Sequence, residues 1–277
     1  MSSKRIEGMH IAHSIEKTPL DKEFNMHIHD NFEIFCFISG NADYMVEGKI
    51  YSLRPGCIML MRSAEIHKVL INTNEAYERC VINFYPEVLI KLGFPESFFK
   101  PFTERNLGER NLYLPSEFLG FQPQAFFKKM LVEGETPDAK RNLLANLASL
   151  LVSINLAFEN KGQKTDMRKQ KSEADEIIDY INENLFSDIS LSSISDTLHI
   201  SPSQINRIFK KLTGTSVYNY IISKRLIVAQ ELIAKGENAT TASQNCGFHD
   251  YSSFYRLYKK HFGTAPTDAK KKIYNIK

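Results

Sequence analysis

The sequence predicts a multidomain α and β chain: a small β-barrel or sandwich first, helices after it, and an all-α domain at the C-terminus. Three observations predict it. Short β-rich runs separated by turn signals fill the stretch from about Phe24 to Phe84. A long apolar helix stripe follows at Leu143, Leu147, Leu150, Ile154 and Phe158. The tail then carries an internal duplication at a shift of 49 residues.

At 277 residues there is room for two domains. An apolar fraction of 43% supports packed cores, and 24% charged residues argue against wholesale disorder. Net charge is +3, but residues 161–277 hold 18 Lys and Arg against 12 Asp and Glu, whereas residues 1–160 are mildly acidic. That asymmetry suits a polyanionic partner for the C-terminal part alone. Four scattered cysteines, with no C-x-x-C pair, suit a reducing cytosol. The N-terminal segment has no apolar core of a secretory signal, and no run of eighteen apolar residues predicts a membrane span.

In chain order, "FEIFCFISG" is a strand ending at Gly40, and "NADYMVEGKIYSL" is two strands joined at Glu47-Gly48-Lys49. "CIMLM", "KVLINT" and "ERCVINFY" are three more. The pattern of many short strands with regular turns implies a sandwich or small barrel. The helix near 142–160 is expected to pack on its own domain, to pair with a second copy, or both. "NKGQKTDMRKQKSE" lacks apolar periodicity and reads as a linker. The expected domains are therefore 1–160, a linker at 161–173, and 174–277.

In the duplication, "SPSQINRIFKKLTGTS" lies over "DYSSFYRLYKKHFGTA". Ser203, Arg207, Lys210, Lys211, Gly214 and Thr215 match Ser252, Arg256, Lys259, Lys260, Gly263 and Thr264. Each unit has helix-turn-helix grammar. Ser201 caps a helix with Pro202 at its first position, where the missing N–H costs nothing, and Gly214 stops it. Asp250 and Gly263 do the same in the second unit. The free face of the first helix is Ser203, Gln204, Asn206, Arg207, Lys210 and Lys211. That of the second is Ser252, Ser253, Tyr255, Arg256, Lys259 and Lys260. Arg pairs with guanine, Asn or Gln with adenine, and Lys neutralises phosphate. A basic helix face is more often simply solvated, and only the duplication lifts the DNA reading above that. Between the units, about twenty helical residues at 1.5 Å each span roughly 30 Å, close to the ~34 Å repeat of the major groove.

Residues 173–272 resemble the two-unit DNA-binding domain of AraC/XylS-type bacterial transcription regulators. The motifs that carry the resemblance are "SPSQINRIFKKLTG", "KRLIVAQELI" and "CGFHDYSSFYRLYKKHFGTAP". It implies base contacts from Ser203, Asn206 and Arg207 and from Ser252, Tyr255 and Arg256. There are departures: Ala242, Ser243, Ser195 and His199 replace residues the family prefers. The resemblance further implies promoter DNA, RNA polymerase and a second copy of the chain as partners and a cytoplasmic location, with activator and repressor both left open.

The N-terminal part is similar to the cupin barrel pattern: His27, His29, Glu33 and Gly40 meet H-x-H-x3-E-x6-G, and Gly56 and His67 keep part of a second motif. Residues of one parity share a strand face, so His27, His29, Glu33, Phe35 and Phe37 are expected to point the same way. With Tyr44 and His67 they are expected to line a pocket for a small-molecule effector, a sugar being one class, with no metal, cofactor or catalytic residue. The alternative is a metal-dependent cupin enzyme, since three histidines and a carboxylate can hold a transition metal. A third reading is a protein-binding module with a basic tail.

Overall fold

The computed structural model of this chain describes residues 2–6, 8–21, 24, 26–131, 137–161 and 172–269. The expected linker lies almost wholly outside them. Contacts divide the described residues into two units, one of residues up to 161 without 26–30, and one of residues 26–30 and 172–269.

The first unit is built from two antiparallel sheets. The strands are β1 (Ser2–Ile6), β2 (Met9–Glu16), β3 (Phe32–Ser39), β4 (Ala42–Val46), β5 (Lys49–Ser52), β6 (Ile58–Met61), β7 (His67–Ile71), β8 (Tyr77–Phe84) and β9 (Leu112–Tyr113). The larger sheet runs β1-β2-β8-β3-β6-β9 and the smaller runs β5-β4-β7. Alternation assigns the two faces of β3. Phe32, Ile34 and Cys36 join one apolar core, while Phe35 and Phe37 join another with Tyr44, Val46, Met59 and Tyr77. The β4–β5 hairpin closes through Glu47 and Gly48, both at positive φ (48° and 82°), the tight turn that matches the twist of paired strands.

The β1–β2 hairpin lies ahead of the β region expected from Phe24 onward. β1 has no buried residue to mark it, and two histidines interrupt the apolar rhythm of "MHIAHSIE". A second correction concerns β3. It starts at Phe32, so His27 and His29 lie ahead of the strand, not on it.

Helices α1 (Pro86–Lys91), α2 (Lys100–Thr103) and α3 (Pro123–Met130) lead to the long α4 (Pro137–Lys161). Leu143, Leu147, Leu150 and Ile154 are buried in the same core as Ile34, Leu60 and Ile82, and Phe158 packs at its edge. The stripe therefore serves the unit's own core. Contrary to the expectation of no candidate span, residues Asp138–Lys161 are long and apolar enough to cross a membrane, with mean hydropathy 1.3. The packing of the Leu stripe makes α4 a core helix.

Among described residues 172–269 the elements are helical: α5 (Glu173–Glu183), α6 (Leu191–Leu198), α7 (Pro202–Thr213), α8 (Val217–Lys235), α9 (Ala239–Asn245) and α10 (Tyr251–Phe262). Both duplicated segments form the expected helices. Ala242 and Ser243, the small residues of the second unit, are buried, and the Ser243 hydroxyl donates to the Thr240 carbonyl at 2.7 Å. All four cysteines are free and buried, and burial pushes the Cys80 and Cys246 thiols up to about 12. Such thiols are inert at neutral pH.

Candidate nucleic-acid interface and sensor interior

Helix α7 starts where Ser201 accepts the Gln204 N–H through its side chain at 3.3 Å, and Pro202 takes the first position. It stops at Gly214, in the left-handed region at φ 70°. Ile205 and Phe209 are buried, and the Phe209 ring meets Tyr220 of α8 edge-on with centroids 5.1 Å apart. That packing turns Ser203, Arg207, Lys210 and Lys211 to solvent, with Asn206 half-buried. Gln204 is half-buried too and donates to Glu173 at 3.3 Å.

Helix α10 repeats the design. The Asp250 carboxylate accepts the N–H groups of Ser252 and Ser253 at 3.3 and 2.7 Å. The Ser253 side-chain and backbone bonds hold its carboxyl below the usual range. Gly263 ends the helix at φ 74°. Phe254 and Tyr258 are buried, and the Tyr258 hydroxyl donates to Gln230 of α8 at 2.7 Å. Ser252, Tyr255, Arg256, Lys259 and Lys260 are exposed, with Ser253 half-buried. The Arg256 guanidinium donates to the Ser253 hydroxyl at 3.1 Å. Each expected face thus exists as one face of one helix.

Two residues of α8 with no role expected from the sequence, Lys224 and Arg225, hold this unit together. Arg225 is buried, and its guanidinium reaches three carbonyls: Leu185 at 2.7 Å, Ser187 at 2.7 Å and Gly247 at 2.6 Å. Leu185 and Ser187 precede the first helix-turn-helix, whereas Gly247 lies inside the second. One planar fork therefore ties both halves to the rod between them. Lys224, fully buried, donates to Asn182 and to the Tyr220 hydroxyl. The sequence carried only a weak signal: two adjacent basic residues, about 100° apart around a helix, interrupt an apolar run. The choice between solvated and buried needed the carbonyls that three-dimensional folding supplies.

In the first unit, Glu33, Phe35, Phe37, Tyr44 and His67 come together between the sheets. All five are buried. The Tyr44 hydroxyl donates to Glu33 at 3.2 Å, and the His67 ring lies nearly parallel to that of Tyr44 at 6.0 Å. His67 Nδ1 lies 2.8 Å from the Glu65 carbonyl, an acceptor only, so Nδ1 carries the proton. Nε2 is left aimed at Glu33, 3.9 Å from its carboxylate. Tyr44 is pushed well above 10, first by burial and then by Glu33. Phe35 and Phe37 are sealed in the core and form its wall. His27 and His29, expected on the same face, group by contacts with the second unit instead; one is exposed and the other half-buried, with ring centroids 6.0 Å apart.

Two features here were not legible beforehand. Glu65 and Arg105 form a fully buried, two-pronged pair at 2.5 and 2.7 Å, joined by the N–H groups of Arg62 and Gly108. Burial opposes charge on Glu65, but Arg105 and the backbone donors overcome it and hold the carboxyl below its usual range. The pair fixes the backbone two residues before His67. Arg79 lies over the rings of Tyr77 and Phe24, at 5.1 and 5.4 Å.

The comparisons match these two halves. Residues 14–118 match an AraC-like ligand binding domain, and residues 194–272 match a helix-turn-helix domain. The chain is an AraC-type transcriptional regulator. Among curated relatives, this regulator is 25% identical to the probable transcriptional regulator LumQ of Photobacterium leiognathi, covering 90% of this chain and 92% of LumQ. It is 22% identical to the activator RhaR of Mannheimia succiniciproducens, over 92% and 90% of the two chains. Among solved structures, the regulator aligns with ToxT of Vibrio cholerae at 14% identity and TM-score 0.41, over 98% and 100% of the chains. A protein from Listeria innocua aligns with 36% of this regulator and 97% of its own length, at 26% identity and TM-score 0.35.

Proposed function

We infer that the regulator reads promoter DNA with α7 and α10 and senses a small molecule in its first unit. Ser203, Asn206 and Arg207 face bases in one major groove, and Ser252, Tyr255 and Arg256 face bases in the next. Lys210, Lys211, Lys259 and Lys260 meet phosphate. Gln204 and Ser253 contribute less to base reading, because each is engaged within the protein, by Glu173 and by Asp250 and Arg256. The observation that carries this reading is the repeated design: two capped, Gly-terminated helices, each burying an aromatic residue against α8 and exposing Arg and Lys. Arg207→Ala tests it. Specific affinity should fall by about 1–3 kcal/mol, with sequence choice relaxed at one position. Unchanged affinity and preference would remove α7 from base reading.

The effector, a sugar being one class, is held near Glu33, Tyr44 and His67, and acts by favouring one arrangement of the protein over another. The regulator works without catalysis, in the cytoplasm, as a homodimer that contacts RNA polymerase and activates transcription. With its Leu stripe buried, α4 would pair through the opposite face, where Val152 and Leu156 are 41% and 37% exposed. A second reading, carried by the H-x-H-x3-E spacing in the sequence, gives His27, His29, Glu33 and His67 a metal ion. Stoichiometric metal in protein purified without chelator, lost in His67→Ala, would favour it. Turnover of a small molecule would be needed to make it an enzyme.

A further inference from the structure

A row of polar residues crosses the larger sheet on the face that Glu33 shares with Phe35 and Phe37. Arg5 of β1 is paired with His10 of β2, His10 with Asn83 of β8, and Asn83 with Glu33 of β3. Directly opposed residues of antiparallel strands present their side chains on the same face. The four therefore form one line, from an arginine at the sheet's edge to the buried Glu33. A cavity of about 300 Å³ opens along this line, walled by Arg5, His10, Asn83 and Asn31, the last in the turn before β3. That volume is at the small end of ligand sites.

The chemistry of the wall is one-sided. It offers a permanent guanidinium cation, an imidazole and two amides, and among the described residues no carboxylate lines the cavity. A guanidinium matches a carboxylate or phosphate with two parallel hydrogen bonds. Amide N–H groups add donors to the same oxygens.

The geometry points to an anion subsite here: the effector carries a carboxylate or phosphate group that Arg5 and His10 bind, flanked by Asn31 and Asn83. This deepens the sensor reading proposed above and rests on it. It also assigns the β1–β2 hairpin a binding role. Burial, and then the Arg5 charge, hold the His10 imidazole below its ordinary value, so an anion that offsets Arg5 raises it again.

The test uses the full-length protein with ¹³C-labelled histidine, the His10 signal being assigned with His10→Gln. Inorganic phosphate and acetate are titrated separately, against sodium chloride at equal ionic strength. A saturable shift of the His10 signal is expected with at least one of the two anions, and the responding one tells phosphate from carboxylate recognition. Arg5→Gln should weaken that binding by about tenfold. Arg5→Lys should fall between, keeping the charge and losing the fork. Arg5 is exposed, and circular dichroism confirms that each variant is folded. If His10 follows ionic strength alone, or if Arg5→Gln binds as tightly as the parent, the subsite does not exist. Duplex DNA binding by the same preparation separates the two ideas: intact DNA binding with no anion response sinks only the subsite.

Discussion

Replacing Arg225 with Met removes the guanidinium but keeps an unbranched stem in the apolar run of α8. The parent residue makes three charge-assisted hydrogen bonds of 2.6–2.7 Å to main-chain carbonyls. Such bonds contribute roughly 1.5–3 kcal/mol each, and each abandoned carbonyl carries its own desolvation cost. Water can return to part of the site, because Arg225 retains 8% of its surface. A net loss of about 3–4 kcal/mol in the helical unit follows, a large share of the ~5–15 kcal/mol that stabilises an ordinary domain. In urea, with a slope of about 1–1.5 kcal/mol/M for a unit of this size, the midpoint should fall by roughly 2–4 M. The assay is far-UV circular dichroism of the full chain, with the helical unit's transition followed separately from the β-rich unit's. Arg225→Lys should restore only part, since one ammonium cannot serve three carbonyls set around a planar fork. The variant should also lose operator affinity beyond what either half loses alone, because Leu185, Ser187 and Gly247 belong to different halves. A midpoint within about 0.5 M of the parent, with operator binding intact, would refute the three-carbonyl account.

Other outcomes follow from the same geometry. Gly247→Ala should destabilise the helical unit, because a Cβ there lies 2.8 Å from the Phe186 carbonyl and 3.0 Å from the Arg225 guanidinium carbon, at φ 76°; thermal unfolding reads it. Glu65→Gln leaves Arg105 buried without its charge partner and should cost about 3–5 kcal/mol in the β-rich unit, read by urea titration. Glu65 also carries a pH dependence. Its folded carboxyl lies below the ordinary value of 4.5, so its stabilisation is complete above that value and is lost as pH falls through the depressed one. Acid titration of stability should therefore show a loss that Glu65→Gln lacks. Lys260→Ala should weaken all DNA sequences alike and flatten the dependence of log affinity on log salt by about 0.9.

The sequence reading succeeded where local chemistry decides the outcome. Ser201, Asp250, Gly214 and Gly263 fix the ends of α7 and α10 through short-range bonds, and those ends fell where the cap residues put them. The Glu47-Gly48 turn was legible for the same reason. Failures came where a distant partner decides. Nothing near Arg225 in the chain announces carbonyls 22 to 40 residues away. The Glu65–Arg105 pair spans 40 residues, and a lone Glu and a lone Arg read as solvated. Strand parity failed for His27 and His29 because it presumes a continuous strand, and β3 begins only at Phe32. The α4 stripe was read correctly as apolar, but periodicity alone could not say whether its own core or a second chain would cover it.

Methylation interference at guanine N7 on a bound promoter fragment tests the central claim most directly, because N7 lies in the major groove. Two clusters of interfering guanines are expected on one side of the duplex, about 10–10.5 base pairs apart. Arg207→Ala should erase one cluster and Arg256→Ala the other. A single cluster, or the loss of both from either substitution, would contradict two independent reading helices.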